Sequence, residues 1–230
     1  MKLSVVIPFY NEENMIQKMY DELVKEINQI TKAEFEIIFI NDGSKDRTFE
    51  RMLAIAAGDS RVKYISFSRN FGKEAGTIAG LEYATGEAVI LMDGDLQHPP
   101  AMLPKMIEAY EQGYDVVSAR RTRTGEKRHR TFLAKHFYKL ANKMMDIELM
   151  DGVSEFRLFS RKVVNAIISM QEYNRFSKGI FAWIGFNEKV IEYENQVRTV
   201  GETKYSLKFS LNYAIQGILS FNDKPLRMCI

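Results

Sequence analysis

The sequence predicts an α/β fold in which helices flank a doubly wound, mostly parallel sheet. Five apolar stretches recur at fairly even spacing, and their nearly continuous, β-branched hydrophobicity is typical of strands that are buried on both faces. Segments with helical period lie between them, and such an alternation indicates parallel strands joined by crossover helices. The predicted strands are residues 3–9, 35–41, 62–68, 87–93 and 114–120.

The helical pattern changes along the chain. After the first strand, apolar residues recur every four positions, which predicts a helix with one apolar face. These residues are Met15, Met19, Leu23 and Ile27. After residue 126 the alternation ends, and residues 128–146 and 206–221 each carry apolar side chains at helical spacing. The first of these two segments also has a stripe of lysines, so it either packs on its own domain or lies against anionic lipid.

The composition excludes several classes of protein. The chain has 230 residues, 46% of them hydrophobic, which is enough for one large domain with its own core. Thirty-two basic and 30 acidic residues give a net charge of +2, so no overall field favours nucleic acid as a partner. The single cysteine, Cys229, indicates a reducing compartment without a disulfide framework. Neither a secretory signal nor a membrane-spanning segment is expected within these residues.

The polar residues that follow the strands are the candidates for a binding site. Ligands of doubly wound sheets bind at the carboxyl ends of the strands, where loops and helix N-termini converge. All five segments found there carry carboxylate or guanidinium groups, which is more chemistry than turns alone require. The segments are "YNEE" (10–13), "NDGS" (41–44), "RNFGKEAG" (69–76), "DGDLQH" (93–98) and "RRTRTGE" (120–126).

The segment "DGDLQH" carries the strongest indication of a metal site. Asp93 and Asp95 lie in one three-residue turn, and each raises the cost of ionising the other unless a cation or several donors compensate. Mg²⁺ or Mn²⁺ would compensate, because both prefer oxygen ligands and leave positions for phosphate oxygens. Gln97 adds a further oxygen or an amide nitrogen. An acidic loop without a metal stays an alternative, and Asp42 by itself is more typical of a turn.

Two common nucleotide-binding loops are absent. The turn after the first strand reads "PFYNEE", without the Gly-x-Gly-x-x-Gly of dinucleotide-binding dehydrogenases, and the chain has no Walker loop. Any nucleotide at this sheet would therefore be held by side chains and a metal.

Several separated motifs resemble those of one enzyme family. "VVIPFYNEE", "INDGSKDRT", "RNFGKEAG" and "LMDGDLQHPP" resemble the successive motifs of inverting family-2 glycosyltransferases, which have the GT-A fold. "DGVSEFRLFSRK", "NRFSKGIFAWIGF" and "RTVGETKYSLK" are similar to polyprenyl-phosphate glycosyltransferases, namely the bactoprenol glucosyltransferases and the related dolichyl-phosphate mannose synthases. The likeness runs from residue 3 to about residue 227. It implies a GT-A catalytic domain over residues 1–205 and an amphipathic juxtamembrane segment over residues 206–230.

The resemblance implies metal-dependent transfer of a hexose, with inversion, from a nucleoside diphosphate sugar to undecaprenyl (polyprenyl) phosphate. UDP-glucose and UDP-N-acetylglucosamine are the expected donors. Transfer to a growing glycan, and nucleotide-sugar binding with little turnover, are the alternatives. By similarity, the cation, Mg²⁺ or Mn²⁺, is expected on Asp93, Asp95 and Gln97. The residues expected to bind the nucleotide sugar are Pro8, Tyr10, Glu12, Asp42, Lys73 and Asp93.

The acceptor phosphate is expected to meet a group of basic side chains. Its oxygen is already anionic near neutral pH, so orientation and charge neutralisation should matter more than deprotonation. Guanidinium groups bind phosphate bidentately, which favours the arginines of "RRTRTGE" and "RTVGETK". The residues expected at the phosphate are Arg120, Arg130, Arg198 and Lys204, and Arg123 is expected among the catalytic residues.

Two departures from the family pattern concern a carboxylate and the end of the chain. Bactoprenol-type relatives usually carry aspartate where this sequence has Glu155, at a position proposed to act as base or to orient the acceptor. Glutamate moves the charge outward by one methylene, which is enough to disturb in-line geometry. Asp151 is a second candidate for a catalytic carboxylate.

Relatives also continue into transmembrane helices after the "PLR" motif, whereas this sequence ends at Ile230. We therefore expect either the soluble domain of a longer protein or attachment to the cytoplasmic face of the cell membrane through amphipathic helices. The apolar C-terminal segments could serve a homo-oligomer interface as easily as a membrane surface.

Overall fold

One mixed sheet of seven strands organises the part of the chain that the structure describes. This computed structural model describes residues 1–122, 152–172 and 175–194, together with positions 142, 145, 147, 150, 217, 220 and 221. The strands are β1 (Lys2–Phe9), β2 (Glu34–Asn41), β3 (Val62–Ser66), β4 (Ala88–Leu91), β5 (Val116–Arg121), β6 (Val153–Ser160) and β7 (Glu188–Tyr193). Their order across the sheet is β3-β2-β1-β4-β6-β5-β7.

Among these strands, only β6 runs antiparallel to its neighbours, which are β4 and β5. All other pairs are parallel. The predicted mostly parallel sheet and its five predicted strands are therefore confirmed. The strands β6 and β7 were not predicted, because their sequences, "VSEFRLFS" and "EKVIEY", lack the continuous hydrophobicity of a strand buried on both faces.

Helices cover both faces of the sheet. They are α1 (Ile16–Ile27), α2 (Thr48–Gly58), α3 (Lys73–Tyr83), α4 (Leu103–Glu111), α5 (Arg161–Ser169) and α6 (Ser177–Trp183), and a 3₁₀ turn, Pro100–Met102, precedes α4. One core lies between the sheet and α1, α2 and α4, and the apolar face predicted for α1 is buried in it. The other core lies on the opposite face, under α3, α5 and α6. The carboxyl ends of the parallel strands are thereby left open between the helix layers.

Several predictions fall on residues that the structure does not describe. The amphipathic segments at 128–146 and 206–221 lie almost wholly outside the described residues, so they stay predictions, as does the domain boundary after residue 205. In the described part of the chain, no helix is long and apolar enough to cross a bilayer. Trp183 is 61% exposed, but exposed apolar side chains are ordinary on protein surfaces, so a homo-oligomer interface also stays a prediction.

A buried glutamate links the amino ends of the central strands. Glu36 in β2 is 3% exposed and accepts hydrogen bonds from the Ser4 hydroxyl at 2.6 Å and from the Thr85 backbone N–H at 2.6 Å. The Lys63 ammonium lies 2.7 Å from its other oxygen. Burial by itself would raise the pKa of the Glu36 carboxyl, but Lys63 and the hydrogen bonds outweigh it and hold that pKa well below its usual range.

Replacing Glu36 with glutamine is expected to lower the free energy of unfolding at pH 7 by about 2 kcal/mol, because a satisfied buried charge is lost. Since folding depresses the pKa of this carboxyl, its contribution is complete above the unfolded value near 4.5 and is lost as the pH falls below it. Urea unfolding at neutral and at acid pH should show the two proteins converging in acid. Glu34→Gln, at an exposed position in the same strand, is the control, and equal losses in both variants would contradict this role.

Candidate functional site

The antiparallel strand β6 brings a glutamate to the carboxyl edge of the sheet. Leu91, the last residue of β4, pairs with Arg157 of β6. Continuing this register by two residues in each strand places Asp93 opposite Glu155. Because β6 runs against β4, the first residues of β6 lie at the same edge as the residues that follow β4. Two carboxylates from distant parts of the sequence therefore meet there.

A lysine joins these two carboxylates. Lys73 is the first residue of α3, and its Nζ lies 2.6 Å from Oδ1 of Asp93 and 2.5 Å from Oε2 of Glu155. Burial alone would lower the pKa of the Lys73 ammonium, but the two carboxylates outweigh it and raise that pKa well above its ordinary value. Burial would likewise raise the pKa of Asp93, but Lys73 lowers it to about 2. Lys73 and Asp93 are therefore both charged at neutral pH, and the Glu155 side chain, which is 12% exposed, is the second partner of the same lysine.

His98 is buried and binds the backbone of Asp93. It was not predicted as a site residue from the sequence. Its ring is 5% exposed and stacks on Phe156 of β6, with ring centroids 5.2 Å apart. Nδ1 accepts the Asp93 backbone N–H at 2.9 Å, so the neutral ring carries its proton on Nε2, which lies 3.8 Å from Oδ2 of Asp93. Burial lowers the pKa of His98, which favours this neutral form. His98 therefore holds the backbone of the turn by a hydrogen bond.

The glycine between the two aspartates is required by close packing. A Cβ atom on Gly94 would lie 2.3 Å from Cε1 of Phe9, so only glycine lets the turn pass over this ring. Leu96 has a φ of 60°, a conformation that is rare outside glycine, and the Gln97 backbone N–H donates to Oδ1 of Asp95 at 3.1 Å. The "DGDLQ" turn is thus a strained and hydrogen-bonded structure that holds both aspartates at the strand end.

A cleft of about 380 Å³ opens at the carboxyl ends of β1, β2 and β3. Its lining residues are Tyr10, Asn41, Gly43, Ser44, Lys45, Phe49, Ser66, Phe67, Ser68, Arg69 and Asn70. Aromatic rings, hydroxyl groups and amides together suit a nucleoside, which needs one stacking surface and a few hydrogen-bond partners. Of the predicted nucleotide-binding residues, Tyr10 lines this cleft directly.

Asp42 lies behind the cleft and holds one of its walls. It is 4% exposed, and its two oxygens accept the backbone N–H groups of Phe71 and Gly72 at 2.7 and 3.0 Å. Burial raises the pKa of Asp42, and these two hydrogen bonds offset part of that effect. Gly43 next to it has a φ of 63°, and a Cβ there would lie 2.2 Å from the Arg69 carbonyl carbon. Residues 69–72 are therefore held against the end of β2 by these contacts.

The other predicted residues are distributed as follows. Pro8 is the next-to-last residue of β1. The Glu12 backbone N–H donates to Oγ1 of Thr48 at 2.8 Å. Arg120 lies at the end of β5, where its guanidinium pairs with Glu192 of β7, so any phosphate there would compete with this carboxylate. The remaining candidates lie outside the described residues. They are Arg123, Arg130, Asp151, Arg198 and Lys204.

Asp93 and Asp95 have the chemistry of ligands for a hard divalent cation. Among the described residues, no three His, Cys, Asp or Glu side chains are grouped so as to hold a metal ion. Asp93 and Asp95 nevertheless offer hard oxygen ligands from one turn. Mg²⁺ keeps several waters and takes phosphate oxygens besides one or two carboxylates, so the two aspartates fit such an ion.

Comparison with known proteins identifies the family of the chain. The family model described as "Glycosyl transferase family 2" matches residues 4–168. CsbB of Bacillus subtilis (strain 168) is 50% identical over 227 residues, which are 99% of this chain and 69% of that protein. The prophage bactoprenol glucosyl transferase homolog of Escherichia coli (strain K12) is 43% identical over 229 residues, which are 99% of this chain and 74% of that protein.

The fold also has solved counterparts. The glucosyl-3-phosphoglycerate synthase from Mycobacterium tuberculosis, solved with Mn²⁺, UDP-glucose and phosphoglyceric acid, superposes with a TM-score of 0.58 over 94% of this chain and 77% of that one. At 19% sequence identity this likeness concerns the fold alone. The matched family segment contains the aspartates of the "DGDLQ" turn, Lys73 and Glu155. The chain therefore has the GT-A fold and belongs to glycosyl transferase family 2, and the protein is a glycosyltransferase.

Proposed function

We propose that the protein transfers a hexose from a UDP sugar to polyprenyl phosphate, with inversion and with the help of a divalent cation. The observation that carries this proposal is the meeting of Asp93, Lys73 and Glu155 at one sheet edge that also holds a nucleoside-sized cleft. The name of the bactoprenol glucosyl transferase homolog supports polyprenyl phosphate as acceptor and glucose as the hexose.

The cleft would hold the uridine of the donor. Tyr10 offers an aromatic surface beside the base, and Asn41, Ser44 and Asn70 offer hydrogen-bond partners. Asp42 would act on the base from behind the cleft wall, because its two hydrogen bonds fix the backbone of Phe71 and Gly72. Pro8 and Glu12 would shape this end of the site through the backbone.

The diphosphate would extend from the cleft towards the "DGDLQ" turn. Asp93 and Asp95 would hold the divalent cation, with Gln97 next to them. A cation bound there offsets the negative charge that develops on the leaving diphosphate. Because Asp93 keeps a pKa of about 2, it stays ionised at any physiological pH and is suited to hold a cation rather than to exchange protons.

The acceptor step depends on Glu155 and the basic residues. An oxygen of the acceptor phosphate attacks the anomeric carbon, and the bond from that carbon to the diphosphate oxygen breaks, with its electron pair leaving on UDP. The acceptor oxygen is already anionic, so Glu155 is needed to orient groups around the reacting atoms more than to remove a proton. Arg120, Arg123, Arg130, Arg198 and Lys204 are the candidates for neutralising the phosphate.

A donor screen tests the proposal. The protein is incubated with undecaprenyl phosphate, Mn²⁺ or Mg²⁺, and radiolabelled UDP-glucose, UDP-N-acetylglucosamine or GDP-mannose. We expect a labelled lipid from one UDP sugar, no product when a chelator is present, and no product when undecaprenol without phosphate replaces the acceptor. NMR of the product should show the anomeric configuration opposite to that of the donor.

The same screen separates the alternatives. A product on a glycan acceptor and none on the lipid phosphate would favour the glycan-acting alternative. Metal-dependent UDP binding by calorimetry without any product would favour a nucleotide-sugar-binding protein. The proposed place of action is the cytoplasmic face of the cell membrane, because a membrane lipid must meet a water-soluble nucleotide sugar there, and liposome flotation tests that attachment.

A further inference from the structure

The Lys73 ammonium lies between the carboxylates of Asp93 and Glu155. Its ammonium lies within 2.6 Å of an oxygen of Asp93 and also contacts Glu155, while Asp95 follows one residue after Gly94. Like-charged carboxylates at this spacing repel one another unless a cation lies between them. Among the described residues, His98 and Lys178 act on the charge of Asp93 more weakly than Lys73 does. Lys73 is thus the main counter-ion of the cluster.

The backbone around Lys73 holds the ammonium in this position. On its N-terminal side, the N–H groups of Phe71 and Gly72 donate to the buried carboxylate of Asp42. On its C-terminal side, the Glu74 carboxylate accepts the backbone N–H of Ser177 at 3.2 Å and also its hydroxyl, at the start of α6. Since the residues on both sides are tied to other elements, the lysine cannot move away without rotating its own side chain.

A divalent cation on Asp93 and Asp95 would lie close to this ammonium. A divalent cation and the ammonium would repel each other in this partly buried site, and both would draw on the negative charge of the Asp93 carboxylate. Asp93 is 30% exposed, so solvent screens part of this repulsion without removing it. The cation can therefore bind only at the expense of the contact between Lys73 and Asp93, whereas the contact with Glu155 can persist.

We infer that Lys73 is an internal counter-ion that competes with the divalent cation for Asp93 and then stays on Glu155 as its positioning residue. This inference rests on the proposed function, since it presumes that the aspartates bind a metal. Without the cation, Lys73 offsets the repulsion between the carboxylates at this edge of the sheet. After the cation arrives, the same lysine holds Glu155 beside the acceptor.

Mn²⁺ binding to the nucleotide-free protein tests the competition without any turnover. Lys73→Met removes the charge and keeps the length of the side chain. We expect Mn²⁺ to bind this variant on the order of tenfold more tightly than the wild type, measured by the loss of the free Mn²⁺ signal in electron paramagnetic resonance. Lys73→Arg keeps the charge and should stay close to the wild type.

Lys178→Met is the matched control, because it removes the same charge from a residue that attracts Asp93 without an ion pair. If the gain came from net charge alone, both variants would gain equally, and this result would overturn the inference. Unchanged or weaker Mn²⁺ binding in Lys73→Met would overturn it as well, as would the absence of Mn²⁺ binding in every variant. Of these results, only the last would also remove the metal from the proposed function.

Thermal unfolding gives a second, independent measurement. Without Lys73 the carboxylates repel one another, so Lys73→Met should have a lower Tm than the wild type in a chelator. Mn²⁺ should then raise the Tm of the variant more than that of the wild type, because the cation replaces the missing charge. Equal Mn²⁺ increments in the two proteins would contradict the exchange of one cation for the other.

Discussion

Replacing Glu155 with glutamine is expected to lower turnover by on the order of a hundredfold while UDP binding in the presence of Mn²⁺ stays within about twofold. Glutamine keeps the size of the side chain but not its charge, so it no longer holds the Lys73 ammonium, which lies 2.5 Å away. The groups that surround the acceptor phosphate lose their orientation, whereas the cleft that binds the nucleoside is untouched.

The measurement is kcat with saturating donor and acceptor, together with calorimetry of UDP. Glu155→Asp is the conservative variant, because it keeps the charge that bactoprenol-type relatives usually carry at this position, one methylene closer to the backbone. We expect Glu155→Asp to keep at least a tenth of the wild-type turnover. A glutamine variant with full turnover would show that this carboxylate takes no part in the reaction.

Replacing Asp95 with asparagine is expected to weaken Mn²⁺-dependent UDP binding by on the order of a hundredfold and to lower turnover at least as much. Asparagine retains one oxygen that can accept the Gln97 backbone N–H, so the turn should keep its shape while one anionic ligand is lost. Asp95 is the cleaner position for this test, because a change at Asp93 would also release Lys73 from its ion pair.

Calorimetry of UDP with and without Mn²⁺ measures the first effect, and the donor screen measures the second. Asp21→Asn, an exposed change on α1 that also removes one carboxylate, is the matched control and should leave both quantities unchanged. If UDP bound to Asp95→Asn with undiminished dependence on Mn²⁺, the cation would have to be held elsewhere. Glu155→Gln and Asp95→Asn should differ in nucleotide binding, since only Asp95→Asn should impair it.

Much of the fold follows from local patterns in the sequence. A strand buried on both faces needs a continuous apolar run, and a surface helix needs an apolar residue at every third or fourth position, so both are visible over a few residues. This is why β1 to β5 and α1 were predicted close to their observed limits. The strands β6 and β7 were missed because charged residues such as Arg157 and Glu188 interrupt their apolar pattern. These two side chains pair with each other, 3.2 Å apart, once the protein is folded.

In the candidate site, too, features that depend on neighbouring residues were predicted, and features that depend on distant residues were not. The "DGD" turn can be recognised from the sequence, because ionising two carboxylates so close together is unfavourable without a cation. The role of Gly94 could not be anticipated, since it depends on the ring of Phe9, which comes from another strand. His98 was present in the quoted motif, but its use as an acceptor for the Asp93 backbone depends on a turn whose conformation is fixed by packing.

By itself, the sequence determined the alternation of strands and helices, the family to which its ordered motifs belong, and the acidic turn after β4. Only the tertiary structure decided that β6 enters the sheet antiparallel between β4 and β5, which turns Glu155 towards Asp93 and leaves Lys73 between them. Strand order and register are set by non-local packing and hydrogen bonding, for which neighbouring residues carry no signal. The charge balance of the site therefore emerges only when distant segments come together.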